Sequence, residues 1–173
     1  MIAKSSTTKK PVWYAVYCRS RQEKKVARLF ERDGIEYFLP LIEVVRLWSD
    51  RKKKVMEPLF KSYLFVRILP SEYLDVLRTD GVVRFVTFEG KPVPVPEVQI
   101  KAIRQYLNKD EIIDDSEFMP EPGDRVEIYR GSLKGLTGEI VSYQGRQKVK
   151  IEIESVGKSI FLTIPKSYLQ KAG

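Results

Sequence analysis

Over residues 147–154 the chain alternates, with Val149, Ile151 and Ile153 apolar and Lys148, Lys150, Glu152 and Glu154 charged. A period of two is the pattern of a half-buried strand. Similar short strands are expected at Arg125–Ile128, Leu136–Ser142 and Lys158–Ile164, separated by glycine-containing turns. About 50 residues of short, curled strands make a small barrel. The N-terminal pattern is mixed. Val12–Cys18 (VWYAVYC) is rich in aromatic and β-branched strand formers. Ser20 and Glu23 are a candidate capping box for a helix over Arg21–Asp33, which has an apolar stripe of Val26, Leu29 and Phe30 and a stop at Gly34. Strand character resumes over Ile35–Trp48, broken at Pro40, and again at Tyr63–Ile68, with Ser49–Lys54 as a basic hairpin tip. A short helix from Pro70 through Leu77 is ended by Gly81, Val82–Phe88 forms a further strand, and Pro96–Leu107 is helical. The pattern predicts an α+β protein, in which an N-terminal antiparallel sheet with flanking helices precedes a small C-terminal β-barrel.

Residues 1–11, rich in Lys, Ser and Thr, read as a flexible arm, residues 12–107 as the first domain and residues 123–173 as the second. Between the domains, residues 108–122 hold acids, Pro120 and Pro122 but no periodic apolar pattern, as in a linker. Charge follows the same division. Residues 1–107 carry 21 basic and 12 acidic groups, residues 108–121 carry 1 and 6, and residues 122–173 carry 9 and 5. The net charge is +8. Two basic blocks around an acidic spacer point to a polyanionic partner.

Composition narrows the chemistry. With Cys18 as the one cysteine, no disulfide forms within the chain, and with no histidine the commonest general base and metal ligand are missing. A zinc site would need one thiolate and carboxylates, a rare ligand set. Asp114 and Asp115 are the obvious carboxylate pair, but they sit among Asp110, Glu111 and Glu117 and read as a solvated acidic linker. No enzyme, metal or cofactor is expected. No apolar run approaches the roughly 18 residues of a membrane span. The polar segment Met1–Lys10 lacks the apolar core of a secretory signal. A soluble, cytoplasmic protein is the expectation.

Two blocks carry a family resemblance. Gly123-Asp124-Arg125-Val126, followed by Gly131, Gly135 and Gly138 in GSLKGLTGEIV, resembles the KOW motif of NusG proteins and several ribosomal proteins. The glycines suit barrel turns that need positive φ or close backbone approach. Trp13–Tyr17, Glu23–Val26, Leu39-Pro40, Phe60 with Tyr63–Val66, Gly81-Val82, Phe85-Val86 and Pro92–Pro94 resemble the NusG N-terminal (NGN) domain in order and spacing. Together the blocks span nearly all of residues 12–171. Phe60-Lys61-Ser62-Tyr63 stands where housekeeping NusG usually has Phe-Pro-Gly-Tyr, and Glu57-Pro58-Leu59-Phe60 resembles the specialised RfaH branch. The N-terminal block is similar to the antiterminators of Bacteroides capsular-polysaccharide loci.

The resemblance implies a bacterial elongation or antitermination factor that acts as a monomer by binding. Its polymerase contacts, on the clamp helices of the largest subunit, map to Tyr17, Phe60, Tyr63, Phe65, Phe85 and Phe88. Strand alternation puts Tyr63 and Phe65 opposite Leu64 and Val66, as an open aromatic face or as a second side of a buried core. Phe85 and Phe88 differ in parity, so a regular strand cannot present both on that face. Arg21, Lys25, Arg28 and Arg32 fall within roughly 60° of one another on a helix, as a DNA-contacting stripe or a solvated face. Arg19, Gln22, Lys25 and Arg32 match in kind the positions by which RfaH-like proteins read non-template DNA, whereas Leu29 replaces a polar reader. The KOW barrel implies recruitment of Rho or a ribosomal small-subunit protein. The rival reading is a ribosomal-type RNA-binding structural protein. RfaH can hold its C-terminal domain as a helical hairpin. Here the β-branched residues and glycines of 123–173 argue for a five-stranded barrel.

Overall fold

The computed structural model describes residues 9–108, 119–143 and 145–173. The acidic cluster Asp110–Glu117 and most of the N-terminal arm lie outside the described residues. In chain order the elements are β1 (Val12–Cys18), α1 (Glu23–Arg32), β2 (Glu36–Phe38), β3 (Leu41–Leu47), β4 (Lys52–Pro58), β5 (Tyr63–Ile68), α2 (Tyr73–Arg78), β6 (Val82–Phe85), β7 (Thr87–Phe88), β8 (Lys91–Pro92), β9 (Pro94–Val95) and α3 (Glu97–Asn108). The C-terminal strands are β10 (Arg125–Ile128), β11 (Thr137–Tyr143), β12 (Arg146–Ile153), β13 (Lys158–Leu162) and β14 (Leu169–Lys171). Contacts divide the chain into two compact units, Met1–Leu39 with Lys61–Pro94 and Pro40–Phe60 with Val95–Gly173.

The first unit is built on an antiparallel sheet with the path β2-β5-β1-β6. Strand alternation sends Val16, Cys18, Leu64, Val66, Ile68 and Phe85 into one core with Val26, Ala27, Phe30 and Val76 of α1 and α2. Ser20 does not cap α1. The helix begins two residues later than expected, with Gln22 at the N-cap and no side-chain hydrogen bond there. A 3-10 turn over Pro70–Glu72 leads into α2, with Pro70 at the position where its missing N–H costs nothing. The strand expected over Val82–Phe88 is split. Val86 donates its N–H to the Ala15 carbonyl (2.9 Å), and β7 turns away to pair with β8.

In the second unit, β3 and β4 form a two-stranded ribbon in register from Leu41–Pro58 to Leu47–Lys52. The other sheet is five-stranded and antiparallel, with the path β13-β12-β11-β10-β14. Its inward positions Val126, Ile128, Ile140, Val149, Ile151, Ile153, Ile160 and Leu162 are buried, while Lys150 and Glu152 are exposed. Residues 123–173 are therefore not a helical hairpin. The ribbon and α3 group with the C-terminal strands, whereas the sequence pattern assigns both to residues 12–107. Among the described residues no helix is long and apolar enough to cross a membrane.

Candidate functional site

Cross-strand register decides which aromatic rings share a face. Tyr17 lies opposite Tyr63 and Ala15 opposite Phe65 on β1 and β5, Phe38 lies opposite Phe65 on β2, and Tyr17 lies opposite Arg84 on β6. Directly paired residues point to the same side, here the side away from α1 and α2. The expected open aromatic face does not extend along β5. Phe65 is 0% exposed, as are its neighbours Leu64 and Val66, so the strand is covered on both sides. The Phe38 ring stacks on Phe65 at 6.1 Å. Phe60 is buried as well.

Phe85 is a correction too. It pairs with Val16, which directs it into the core beneath α1 and α2, where its ring stacks on Tyr73 at 4.4 Å. Phe88, on the separate strand β7, is 70% exposed. The parity conflict between the two is resolved by the break at Val86. What remains accessible is one end of the face. Tyr17 and Tyr63 are half-buried and meet edge-on at 5.4 Å, and the Arg84 guanidinium lies 5.2 Å from the Tyr17 ring centroid. Arg84 carries no such role in the sequence reading, because only the register brings it to Tyr17.

The basic candidates are also rearranged. Arg21 precedes α1 in the left-handed region (φ +63°), so it is not part of a helical stripe. A turn in which Gln22 N–H meets the Arg19 carbonyl (3.1 Å) places it there. Lys25, Arg28 and Arg32 keep helical spacing and are exposed. Asp80 sits between two of the candidates, with its carboxylate 2.5 Å from Lys25 Nζ and 3.8 Å from Arg19 Nη1. The Lys25 hydrogen bond and charge, aided by Arg19, hold the Asp80 carboxyl below the usual range. Arg32 pairs with Asp33 at 2.8 and 3.1 Å, and its hydrogen bond holds the Asp33 carboxyl down likewise. Among the described residues, Arg21 and Arg28 have no acidic partner. Acidic neighbours therefore offset three of the five cations.

Two supporting residues escape a reading of the chain alone. Gly81 (φ +97°) accepts from Arg19 N–H (2.9 Å), and a Cβ there would lie 2.8 Å from both Gln22 Oε1 and Val26 Cγ2. Only glycine lets the segment after α2 approach the Arg19–Gln22 turn this closely. Gln22 Oε1 is buried and has no hydrogen-bond partner among the described residues. Glu23, placed in the sequence reading as a capping-box acid, is 6% exposed and instead accepts from Ser62 N–H at 2.8 Å. The neighbouring Cys18 thiol is pushed up to about 11 by burial and by the Glu23 charge, so it stays protonated and inert at neutral pH. Among the described residues no group of three or more acids or cysteines could hold a metal ion.

The three C-terminal glycines do different things. Gly131 and Gly135 take positive φ in the loop between β10 and β11, where the ring of Tyr168 closes over Gly131. Gly138 is not a turn residue. It lies within β11 opposite Val126, and a Cβ there would stand 2.6 Å from both the Lys150 carbonyl oxygen and Val149 Cγ1.

Comparison with known proteins places this geometry. The family described as transcription termination factor nusG matches residues 11–104, more than half of the chain. The structure described as domain interaction in Thermotoga maritima NusG is 25% identical, with 95% of this chain and 98% of that chain covered at a TM-score of 0.56. The MjSpt4:Spt5 complex, in conformation B, is 18% identical over 92% of this chain and 95% of that chain, at a TM-score of 0.29 too low to argue from. The covalent chain, the α+β architecture and the matched segment agree: this protein belongs to the NusG family of transcription factors.

Proposed function

We propose that this protein is a transcription elongation and antitermination factor of the specialised, RfaH-like branch, active in the bacterial cytoplasm. Residues 12–107 serve as the NGN domain that grips the clamp helices of the RNA polymerase largest subunit. Residues 108–122 tether the KOW domain, residues 123–173, which recruits Rho or a ribosomal small-subunit protein. The mechanism is binding: contacts that favour the elongation-competent polymerase over the paused state shift the population between them. The observation that carries the reading is the half-buried Tyr17–Tyr63 pair with Arg84 at its edge. Clustered aromatic and arginine side chains of this kind dominate protein interfaces. Phe88 extends the contact set. Arg21 and Arg28, with Lys25 and Arg19 once released from Asp80, meet the non-template DNA strand.

The test is co-purification of RNA polymerase with the tagged full-length protein. Tyr17→Ala and Tyr63→Ala should each weaken binding by about 1–3 kcal/mol while the circular dichroism stays that of the folded chain. Capture of ribosomal subunits without polymerase would overturn the proposal in favour of a ribosomal RNA-binding role.

A further inference from the structure

We propose that the outer face of the C-terminal barrel, around Tyr143 and Phe161, binds single-stranded RNA, a contact separate from the protein recruitment assigned to that domain.

Register assembles the face. Val149, Ile151 and Ile153 point into the barrel core, so the alternate residues of β12, Arg146, Lys148 and Lys150, point outward. Tyr143 of β11 lies directly opposite Arg146, and Phe161 of β13 lies opposite Lys150. Paired residues share a side, which puts both rings outside with the three cations. The rings reach across β12 and stack in parallel, with centroids 4.5 Å apart and planes 5° from one another. The Tyr17–Tyr63 pair, by contrast, meets at 64° and offers no common plane. Tyr143 is 39% exposed although Phe161 covers one of its faces, so its accessible surface is the opposite face and the hydroxyl edge. Neither ring belongs to the buried inward set that builds the barrel core.

Aromatic planes among cations are suited to single strands. Any unstacked base can lie on a ring, while amines and guanidinium groups follow the phosphates. Neither Lys148 nor Lys150 makes an ion pair among the described residues, so both charges are available to phosphate. A duplex keeps its base faces covered by neighbouring pairs and has none to offer Tyr143. Lys150 also lines a groove of about 490 Å³ between β11–β12 and the start of α3, with Arg125 on its wall. That groove continues the cationic track away from the rings.

RNA rather than DNA follows from the acids on the same face. Glu139 lies directly opposite Lys150, and Glu152 lies opposite Ser159. These carboxylates repel phosphate and need hydrogen-bond donors. Every nucleotide of RNA brings one in its 2′-hydroxyl, which DNA lacks.

The test uses the full chain and a labelled single-stranded RNA of about 12 nucleotides, within the span of one small barrel, followed by anisotropy across a salt series. Amide NMR shifts in the same titration locate the contact. Tyr143→Ala should lose about tenfold or more in affinity, whereas Tyr143→Phe keeps the ring and should bind as the parent does. Lys148→Gln/Lys150→Gln should flatten the slope of log K against log salt by roughly 1.4, about 0.7 for each phosphate no longer neutralised. The amides of Lys148, Lys150 and Phe161 should move on RNA addition and move less with DNA of the same sequence. Polymerase co-purification should persist in Tyr143→Ala, so failure here and failure of the Tyr17–Tyr63 surface are told apart. Parent-like RNA affinity in Tyr143→Ala, or an unchanged salt slope in the lysine variant, would overturn the proposal. Shifts confined to α1 would overturn it and assign the RNA to the basic helix, and equal shifts with DNA would overturn the choice of RNA. Shifts on this face with a ribosomal small-subunit protein but none with RNA would make it a protein-docking face instead.

Discussion

The Glu23 carboxylate accepts a hydrogen bond from the backbone N–H of Ser62 at 2.8 Å, joining the first residue of α1 to the turn before β5. Ser62 is in the left-handed region (φ +68°), and its carbonyl accepts from Cys18 N–H at 2.8 Å. Both backbone groups of a strained residue are thus held, the N–H by α1 and the carbonyl by β1. Glycine adopts this conformation freely, and serine does so at a cost of about 1–2 kcal/mol. The turn aims Tyr63, the next residue, at Tyr17.

Removing the Glu23 acceptor leaves a shielded backbone donor unsatisfied. Glu23→Ala should lower stability by about 1–3 kcal/mol, read as a lower denaturant midpoint at unchanged slope. Ser62→Gly should stay within about 1 kcal/mol of the parent, because relief of strain is offset by the freedom glycine adds to the unfolded chain. Ser62→Val, branched at a left-handed position, should be clearly less stable than either the parent or Ser62→Gly.

Phe65 and Phe88 should behave oppositely. Truncating the fully buried ring in Phe65→Ala should cost about 3–5 kcal/mol and show first as a fall in melting temperature. Phe88→Ala should change stability by less than about 0.5 kcal/mol and, on the proposed reading, should weaken polymerase capture. A stable Phe65→Ala protein would contradict its burial.

Asp80 restrains the basic surface of α1. Asp80→Asn should release Lys25 and Arg19, raising the affinity for single-stranded DNA and steepening its salt dependence. The folded Asp80 carboxyl titrates below its unfolded value, so its pairing stabilises the fold above the ordinary aspartate value of about 3.9. That contribution is lost as the pH falls through the lower folded value. A pH titration of the Asp80 carboxyl by NMR should show the depressed value in the parent and a rise towards the ordinary one in Lys25→Gln.

At Gly138 sterics should reverse a general trend. Replacing a strand glycine by alanine ordinarily gains about 0.5–1 kcal/mol. Here the added methyl meets a backbone oxygen and a packed valine at 2.6 Å, so Gly138→Ala should instead lose about 1–3 kcal/mol. Thermal unfolding of the full chain will show the sign.

The sequence by itself determined the local order of this protein, because strand and helix periodicity is written in neighbouring residues. The alternation at 148–154 and β5 at Tyr63–Ile68 are found as read, the helix read over Pro96–Leu107 is found one residue later at Glu97–Asn108, and the family could be recognised from the residues that build them. Register, coverage and charge pairing were decided only by the tertiary structure, since each depends on residues far apart in the chain. Parity could say that Phe85 and Phe88 disagree, but the pairing of Phe85 with Val16 decided which one enters the core. Helical spacing put Arg21 on a stripe, and the turn packed against Gly81 removed it. Alternation separated Phe65 from Leu64, but burial of both faces of β5 closed the surface that alternation had left open. Tyr17, Tyr63 and Arg84 lie on three different strands, and antiparallel register is the physical reason they meet.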